Sequence, residues 1–530
     1  MRCVLGPLGA HLVRDRFLAV MTLLLAILVL SPLFQARFLP LTDLHCHAAY
    51  ASLAKQLWAG DPVVSHFYMV QPQPSPYWVS YLILIALAAV VGPVYATHVF
   101  VGIVLVFVPL SFMRLMVALG RSPRLGLLAF ALSWDFNVMF GFVAYSFAIG
   151  LGFLLIARAL EHLRGGRWAS RTEIFKTVLL ALVLPWSHAQ ASALVALLLG
   201  LLAVAEFFVR GRRNALRLIS WPLLIGLGLA PWVLSASGRV GADARPMPGL
   251  LHLAYWPPTG ERLERFLYHS LGFISSPWAS QVQGLLALIL VFFPLLLLGM
   301  PGGTSKAQRR AFVLYGGAWL VCLTLPSAIF WPFHQIFIYE RFLTLLMLFG
   351  LLLPGVSLLG KRLWLLVPPL AVTVVSVLTI GAYTRAWDEE TRPYQEIIDA
   401  IPPGKTVMPV IWELRGPNST FETLVGLHAY YNVLKGGYTP HLFSTPNLPV
   451  RRREAVGLPT PVWKTPRAFT IPEHGFRYDY VLVQGKRHDR FREKRYRTED
   501  GGSVKLVVER ETGIWRLYRV VPLASPIDSP

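Results

Sequence analysis

The chain has 530 residues, of which 55% are hydrophobic and only 15% charged, and its mean hydropathy is +0.53. A string of soluble domains, and with it the cytosolic enzyme folds, is excluded by that composition. The net charge of +21 would suit a nucleic-acid partner, but among apolar runs long enough to cross a hydrocarbon core of about 30 Å, basic residues read as loop residues that fix topology. No nucleic acid is therefore expected. Cys3, Cys46 and Cys322 lie far apart without a C-x-x-C, which offers neither a disulfide framework nor a thiolate zinc site.

Arg2, Arg14 and Arg16 precede the first apolar run, and no A-x-A cleavage site follows it. This predicts a retained first helix with the N-terminus inside and an outer loop at 36–77. Further basic clusters stand at Arg121 and Arg124, between Arg158 and Lys176, between Arg210 and Arg217, between Lys306 and Arg310, and at Lys361 and Arg362. The positive-inside rule puts all of them on the cytoplasmic side. Trp78–Val91 is too short for a span and reads as a juxtamembrane or re-entrant helix. About eleven spans remain, near 17–35, 94–118, 125–140, 141–160, 174–187, 190–209, 216–235, 282–300, 311–330, 342–359 and 363–383. An odd count places the C-terminus outside. A second outer loop at 236–281 carries Tyr255-Trp256-Pro257-Pro258 and an amphipathic helix at 260–271, suited either to covering a lipid-facing cleft or to lying on the surface.

Beyond Tyr383 the composition turns charged and rich in proline. The chain thus divides into a multi-pass transmembrane domain, 1–383, and a soluble outer-face domain, 384–530. A helix at 394–400 and strand-like runs at 406–412, 478–483, 504–508 and 515–521 predict a small α/β or α+β unit, with 440–466 irregular.

Sorted by this topology, the histidines favour the outer side: His45, His47, His66, His98, His188, His252, His269 and His334 fall there, against His11 and His162 inside. Asp43, in Leu41-Thr42-Asp43-Leu44-His45-Cys46-His47, follows the first helix, where a carboxylate can meet both water and a lipid-borne substrate. Asp135, in Ser133-Trp134-Asp135-Phe136-Asn137, interrupts an apolar stretch; it is either a functional acid or a helix cap bonded to Asn137. Arg341, in Tyr339-Glu340-Arg341-Phe342, opens an apolar run on the outer side. Its guanidinium suits a phosphate clamp, and a pair with Glu340 or a snorkelling side chain is the structural alternative. Asp43, His45 and His47 also form D-x-H-x-H, which admits a divalent metal ion on His45 and His47, although no alternating strand and helix pattern follows it. The sequence contains no G-x-S-x-G, no Walker A and no dinucleotide fingerprint.

Taken together, Asp43, Asp135, Arg341, Phe140-Gly141-Phe142 and Tyr339-Glu340-Arg341-Phe342 resemble the GT-C superfamily of membrane glycosyltransferases, which take sugars from polyprenyl-phosphate carriers. The resemblance implies an inverting transfer from a lipid-linked sugar donor, in contact with membrane lipid, to an acceptor glycan, lipid or protein. On that pattern Asp43 would be the general base, Asp135 a second catalytic acid and Arg341 the phosphate clamp, with Tyr339, Glu340, His45 and His188 as substrate-binding candidates. Where many members carry paired acids in the first loop, this sequence has one acid and two histidines. A bacterial inner membrane, with the C-terminal domain in the periplasm, is the implied location. Two other classes fit a basic polytopic chain: a transporter or lipid flippase, and an inactive anchor for a C-terminal interaction domain.

Overall fold

The computed structural model describes all residues except 1, 165–169, 244–253, 270, 272, 299–304, 331–334, 356–359, 443–447, 454, 455, 457, 459–464, 486–490, 492 and 524–530. His252 and His334, and much of the outer loop at 236–281, lie outside the described residues. The chain forms two compact units. One comprises Met1–Phe34, Gln73–Ser80 and Val101–Ala382, the other Gln35–Pro72, Tyr81–Phe100 and Tyr383–Pro530.

The first unit contains most of the apolar helices. Among the described residues, seven helices are long and apolar enough to cross a membrane: Arg16–Phe34, Pro93–Leu119, Val143–His162, Ala189–Arg210, Arg212–Ser235, Pro277–Leu298 and Arg362–Ala400. Each coincides with an expected span. The other four expected spans take different forms: 125–140 splits, 174–187 becomes the 17-residue helix Arg171–Ser187, 311–330 becomes Ser305–Thr324, and among the described residues of 342–359 the α-helix is the short Leu343–Gly350. Hydropathy reports how apolar a segment is, and irregular backbone at membrane depth is tolerated where protein covers it. Leu125–Leu132 illustrates the point, being an entirely buried 3-10 helix. Side-chain donors tie down its end, Ser133 bonding Leu105 O at 2.9 Å and Trp134 Nε1 bonding Val29 O at 2.8 Å. Close packing elsewhere depends on small residues, since a Cβ at Gly152 would stand 2.4 Å from Val195 Cγ2.

Buried ion pairs gather at the end of the unit where the basic clusters lie. Arg114 meets Glu161 at 3.1 Å with both side chains almost fully enclosed. Arg124 meets Asp15 at 2.6 Å, Arg158 meets Glu173 at 2.7 Å, and Arg310 meets Glu206 at 2.7 Å.

The second unit is built around a five-stranded sheet in the order Val407–Ile411, Tyr480–Gln484, Trp515–Leu523, Ser503–Thr512, Arg495–Arg497. The first pair is parallel and the others antiparallel. The strand-like runs expected at 406–412, 478–483, 504–508 and 515–521 are all present, as is an α+β arrangement. One feature is not visible in the sequence: the loop at 36–77 folds into this same unit. Its alanine-rich segment forms the helix Leu44–Trp58, buried along Leu44 to Ala54. Asp61 caps the following helix Pro62–Phe67, and Tyr68–Val70 pairs antiparallel with Val450–Arg452. Phe38, Trp387, Tyr394, Leu427, Tyr430 and Trp515 form the shared core. The helix Val367–Ala400 belongs to the first unit up to Ala382 and to the second from Tyr383.

Candidate active site

In the first unit the sequence candidates converge on a short interruption of the helical pattern. Asp135 adopts an extended conformation and caps the helix Phe136–Phe140, which Gly141 ends at φ 98. That left-handed geometry favours glycine. The Asp135 carboxylate accepts three hydrogen bonds: Val138 N at 3.0 Å, Asn137 Nδ2 at 2.9 Å and Thr344 Oγ1 at 2.6 Å. All three partners are donors, which is the environment an ionised carboxylate needs when it is removed from water.

Thr344 lies three residues after Arg341, and the same amide that bonds Asp135 also bonds Arg341. Asn137 Nδ2 donates to Arg341 O at 3.1 Å, and Tyr145 Oη donates to it at 3.1 Å. The buried Arg341 guanidinium donates to Gln190 Oε1 at 2.9 Å and lies 3.7 Å from the centroid of the Phe142 ring. Asp135, Asn137, Tyr145, Ser146, Arg341 and Thr344 all line one cavity of about 30 Å³. Buried Asn137 Oδ1 has no partner among the described residues. His188 stands at the junction of Arg171–Ser187 and Ala189–Arg210, its ring 5.3 Å from those of Tyr77 and Tyr145. Asp135, Arg341 and His188 therefore share one neighbourhood.

Glu340 and Tyr339 do not join it. Glu340 is fully enclosed and accepts from Arg265 at 2.6 Å and from Ser327 at 2.5 Å. Arg265 also reaches Glu261 at 2.5 Å. The Arg262 guanidinium covers the Tyr339 ring at 4.7 Å and donates to Cys322 O and Leu325 O. Both arginines come from Thr259–His269, the amphipathic helix expected near 260–271. Tyr339 and Glu340, expected as substrate-binding residues, thus contact Arg262 and Arg265 of that helix. The cap and Asn137 bond, given as the alternative for Asp135, are both present.

In the second unit Asp43 is half-buried at the N-terminus of Leu44–Trp58, and its side chain makes no capping hydrogen bond there. His45 points into the core, with Tyr430 at 5.3 Å and Trp387 at 6.3 Å between ring centroids, and its Nε2 donates to Leu39 O at 2.9 Å. His47 instead bonds Tyr81 Oη through Nδ1 at 2.6 Å. Residues two apart on a helix face different directions. The expected metal pair is corrected accordingly: His45 and His47 take separate partners, and no group of three His, Cys, Asp or Glu suited to a metal ion occurs among the described residues. Burial holds both imidazoles near pKa 4, so both are neutral at pH 7.

No protein-family model and no curated protein sequence matches the chain. A solved structure does: the crystal structure of ArnT from Cupriavidus metallidurans bound to undecaprenyl phosphate matches over 97% of this chain and 99% of that one, with a TM-score of 0.52 and 13% identity. The chain has the fold of ArnT. The likeness spans both units, so the multi-pass GT-C-like architecture with a C-terminal sheet domain, expected from the sequence, is the architecture found. Thr344, Gln190 and Tyr145 escape the sequence reading. Gln190, two residues from His188, is the one whose position could have signalled it.

Proposed function

We propose that this chain is an integral-membrane glycosyltransferase that uses a polyprenyl-phosphate-linked sugar donor, as the undecaprenyl phosphate bound to ArnT suggests. The observation that carries the reading is the joining of Asp135 to Arg341 through Asn137 and Thr344 at one cavity within that fold. A buried guanidinium is a fitting partner for the phosphate that leaves when the anomeric carbon is attacked. A cavity of about 30 Å³ has room for a water molecule and not for a sugar, so donor binding requires Arg341 to release Gln190 and turn toward the phosphate. Asp135 acts as a positioning residue that fixes the turn carrying Arg341. Asp43, half-buried at a helix start, is the general base that takes the proton of the acceptor hydroxyl. The positive-inside rule supports an orientation with the basic clusters in the cytoplasm and the second unit on the outer face, in a bacterial inner membrane the periplasm.

The test is a donor-turnover assay in proteoliposomes, following release of polyprenyl phosphate by mass spectrometry. Arg341→Gln should lower kcat by about 10²–10³, as expected for loss of one preorganised transition-state contact, and Asp43→Asn should abolish turnover while donor binding persists. Donor translocation without release, indifferent to Asp43→Asn, would replace the glycosyltransferase with a lipid transporter.

A further inference from the structure

The acid-paired arginines of the first unit make Arg121 conspicuous. It follows the helix Pro93–Leu119 and is only 4% exposed. Nη2 donates to the neutral Gln308 Oε1 at 2.7 Å, whereas Nε and Nη1 are enclosed with no acceptor among the described residues. Positive-inside topology accounts for cations that stay solvated, and it gives no reason to bury one without a counter-charge.

Gln308 sits in the first turn of Ser305–Thr324, a turn with no acid that also carries Lys306, Arg309 and, just beyond, Arg310. Cations there oppose the helix dipole, whose N-terminal end favours an anion. Arg164 donates to Ala118 O at 2.5 Å, at the end of the helix that precedes Arg121. Glu206 is shared between Arg310 at 2.7 Å and Arg210 at 3.6 Å. Lys306 lies within electrostatic reach of Arg310, Arg210 and Arg164. Four cations, Arg310, Arg210, Lys306 and Arg164, thus gather about Glu206, and Arg121 joins their helix through Gln308. On two of the same helices Phe208 and Phe312 are exposed, apolar surface of the kind an acyl chain covers.

We propose that this cluster binds the phosphate headgroup of an anionic membrane lipid, with Lys306, Arg210 and Arg164 supplying its charge and Arg121, held at Gln308, as its anchor. The ligand chemistry is a phosphate ester, and a guanidinium on one side with a helix N-terminus on the other is a recurrent way to hold one. A lipid fits better than a soluble phosphate because the cluster sits at the ends of apolar helices, where headgroups lie.

The full chain is reconstituted in nanodiscs of phosphatidylcholine, with or without phosphatidylglycerol, and read by native mass spectrometry and thermal melting. The wild type should retain phosphatidylglycerol and melt higher in its presence. Arg121→Gln should lower retention about tenfold or more and, having lost an uncompensated buried charge, should melt no lower than wild type in phosphatidylcholine. Lys306→Gln with Arg210→Gln should also lower retention without burdening the core, while the exposed Arg213→Gln should leave it intact. Retention by Arg121→Gln equal to wild type, or a lower melting point for it in phosphatidylcholine, would overturn the site. If inorganic phosphate alone reproduces the stabilisation in phosphatidylcholine discs, the occupant is a soluble anion and the lipid assignment fails.

Discussion

Acid should loosen the second unit well before it affects the first, because its core holds neutral histidines. His428 bonds Val425 O through Nδ1 at 2.8 Å, and its ring lies 6.1 Å from that of His441. Burial lowers His428 from 6.5 to about 4 against hydrogen bonds to the backbone of Val425 and His441 that favour its charged form, while burial, ahead of the charges of His428 and Arg452, lowers His441 from 6.5 to about 3. Burial likewise holds His45 at about 4, with His428 adding to the effect. A depressed histidine leaves the folded state with fewer bound protons than the unfolded state between the two pKa values. The stability it contributes is complete above pH 6.5 and is lost as pH falls toward 4. At about 1.4 kcal/mol per unit, each of His45 and His428 withdraws about 3 kcal/mol over that window. Together they approach the stability of an ordinary domain, about 5–15 kcal/mol.

Hydrogen exchange read by mass spectrometry between pH 7.5 and 4.5, corrected for intrinsic exchange, measures this directly. Peptides from Leu44–Trp58, Tyr430–Lys435 and Tyr480–Gln484 should lose protection steeply below pH 6.5. Those from Val143–His162 serve as the internal reference. Replacing His428 with Gln should flatten the slope by about one proton's worth, about 1.4 kcal/mol per pH unit. Protection in the second unit that stays within about 1 kcal/mol across the range would refute the argument, since buried neutral imidazoles cannot be insensitive to acid.

Three further outcomes are expected. Asp135→Asn keeps the shape but sets a donor against the Thr344 hydroxyl and the Asn137 amide; it should cost about 1.5–3 kcal/mol in thermal or denaturant unfolding and reduce turnover through Arg341. Arg265→Met leaves Glu340 buried without its cation and should cost about 3–5 kcal/mol. Adding Glu340→Gln should recover most of that loss, and protease cleavage within Thr259–His269 should track the single variant and not the pair. A Cβ at Gly437 would stand 2.2 Å from Lys405 O, so Gly437→Ala should destabilise the second unit by more than about 3 kcal/mol, leaving the reference peptides of the first unit unchanged.

What can be read from the sequence depends on the range of each signal. Val407–Ile411 and Tyr480–Gln484 announce themselves as fully buried β-rich runs, and seven spans do so by hydropathy. The break at Asp135 is visible as a charged residue in an apolar stretch, but its link to Thr344 crosses 209 residues and leaves no local trace. Glu340 is misplaced for a related reason: beside Arg341 in sequence, it bonds Arg265 on another helix. His45 and His47 read as outward-facing when 36–77 is taken for a loop, whereas alanines at 48, 49, 51 and 54 favour the helix that buries His45. Likewise, the three-residue strand Tyr68–Val70 is too short to show a pattern of its own.

The composite make-up of the second unit bears on how the protein is made. Ser52 on the early helix bonds Val433 O, 381 residues later, and at roughly 5–20 residues per second the ribosome needs roughly 20–80 s to supply that partner. During that interval Leu44–Trp58 has been synthesised without the strands and helices that cover it, and the unit cannot close until translation is nearly finished. Expression of the C-terminal segment alone would strand the reverse face, with Leu427, Tyr430 and Tyr431 uncovered. A fragment that begins where the last membrane helix ends would therefore aggregate, and early truncations and C-terminal nonsense mutations should fail through the same missing contacts.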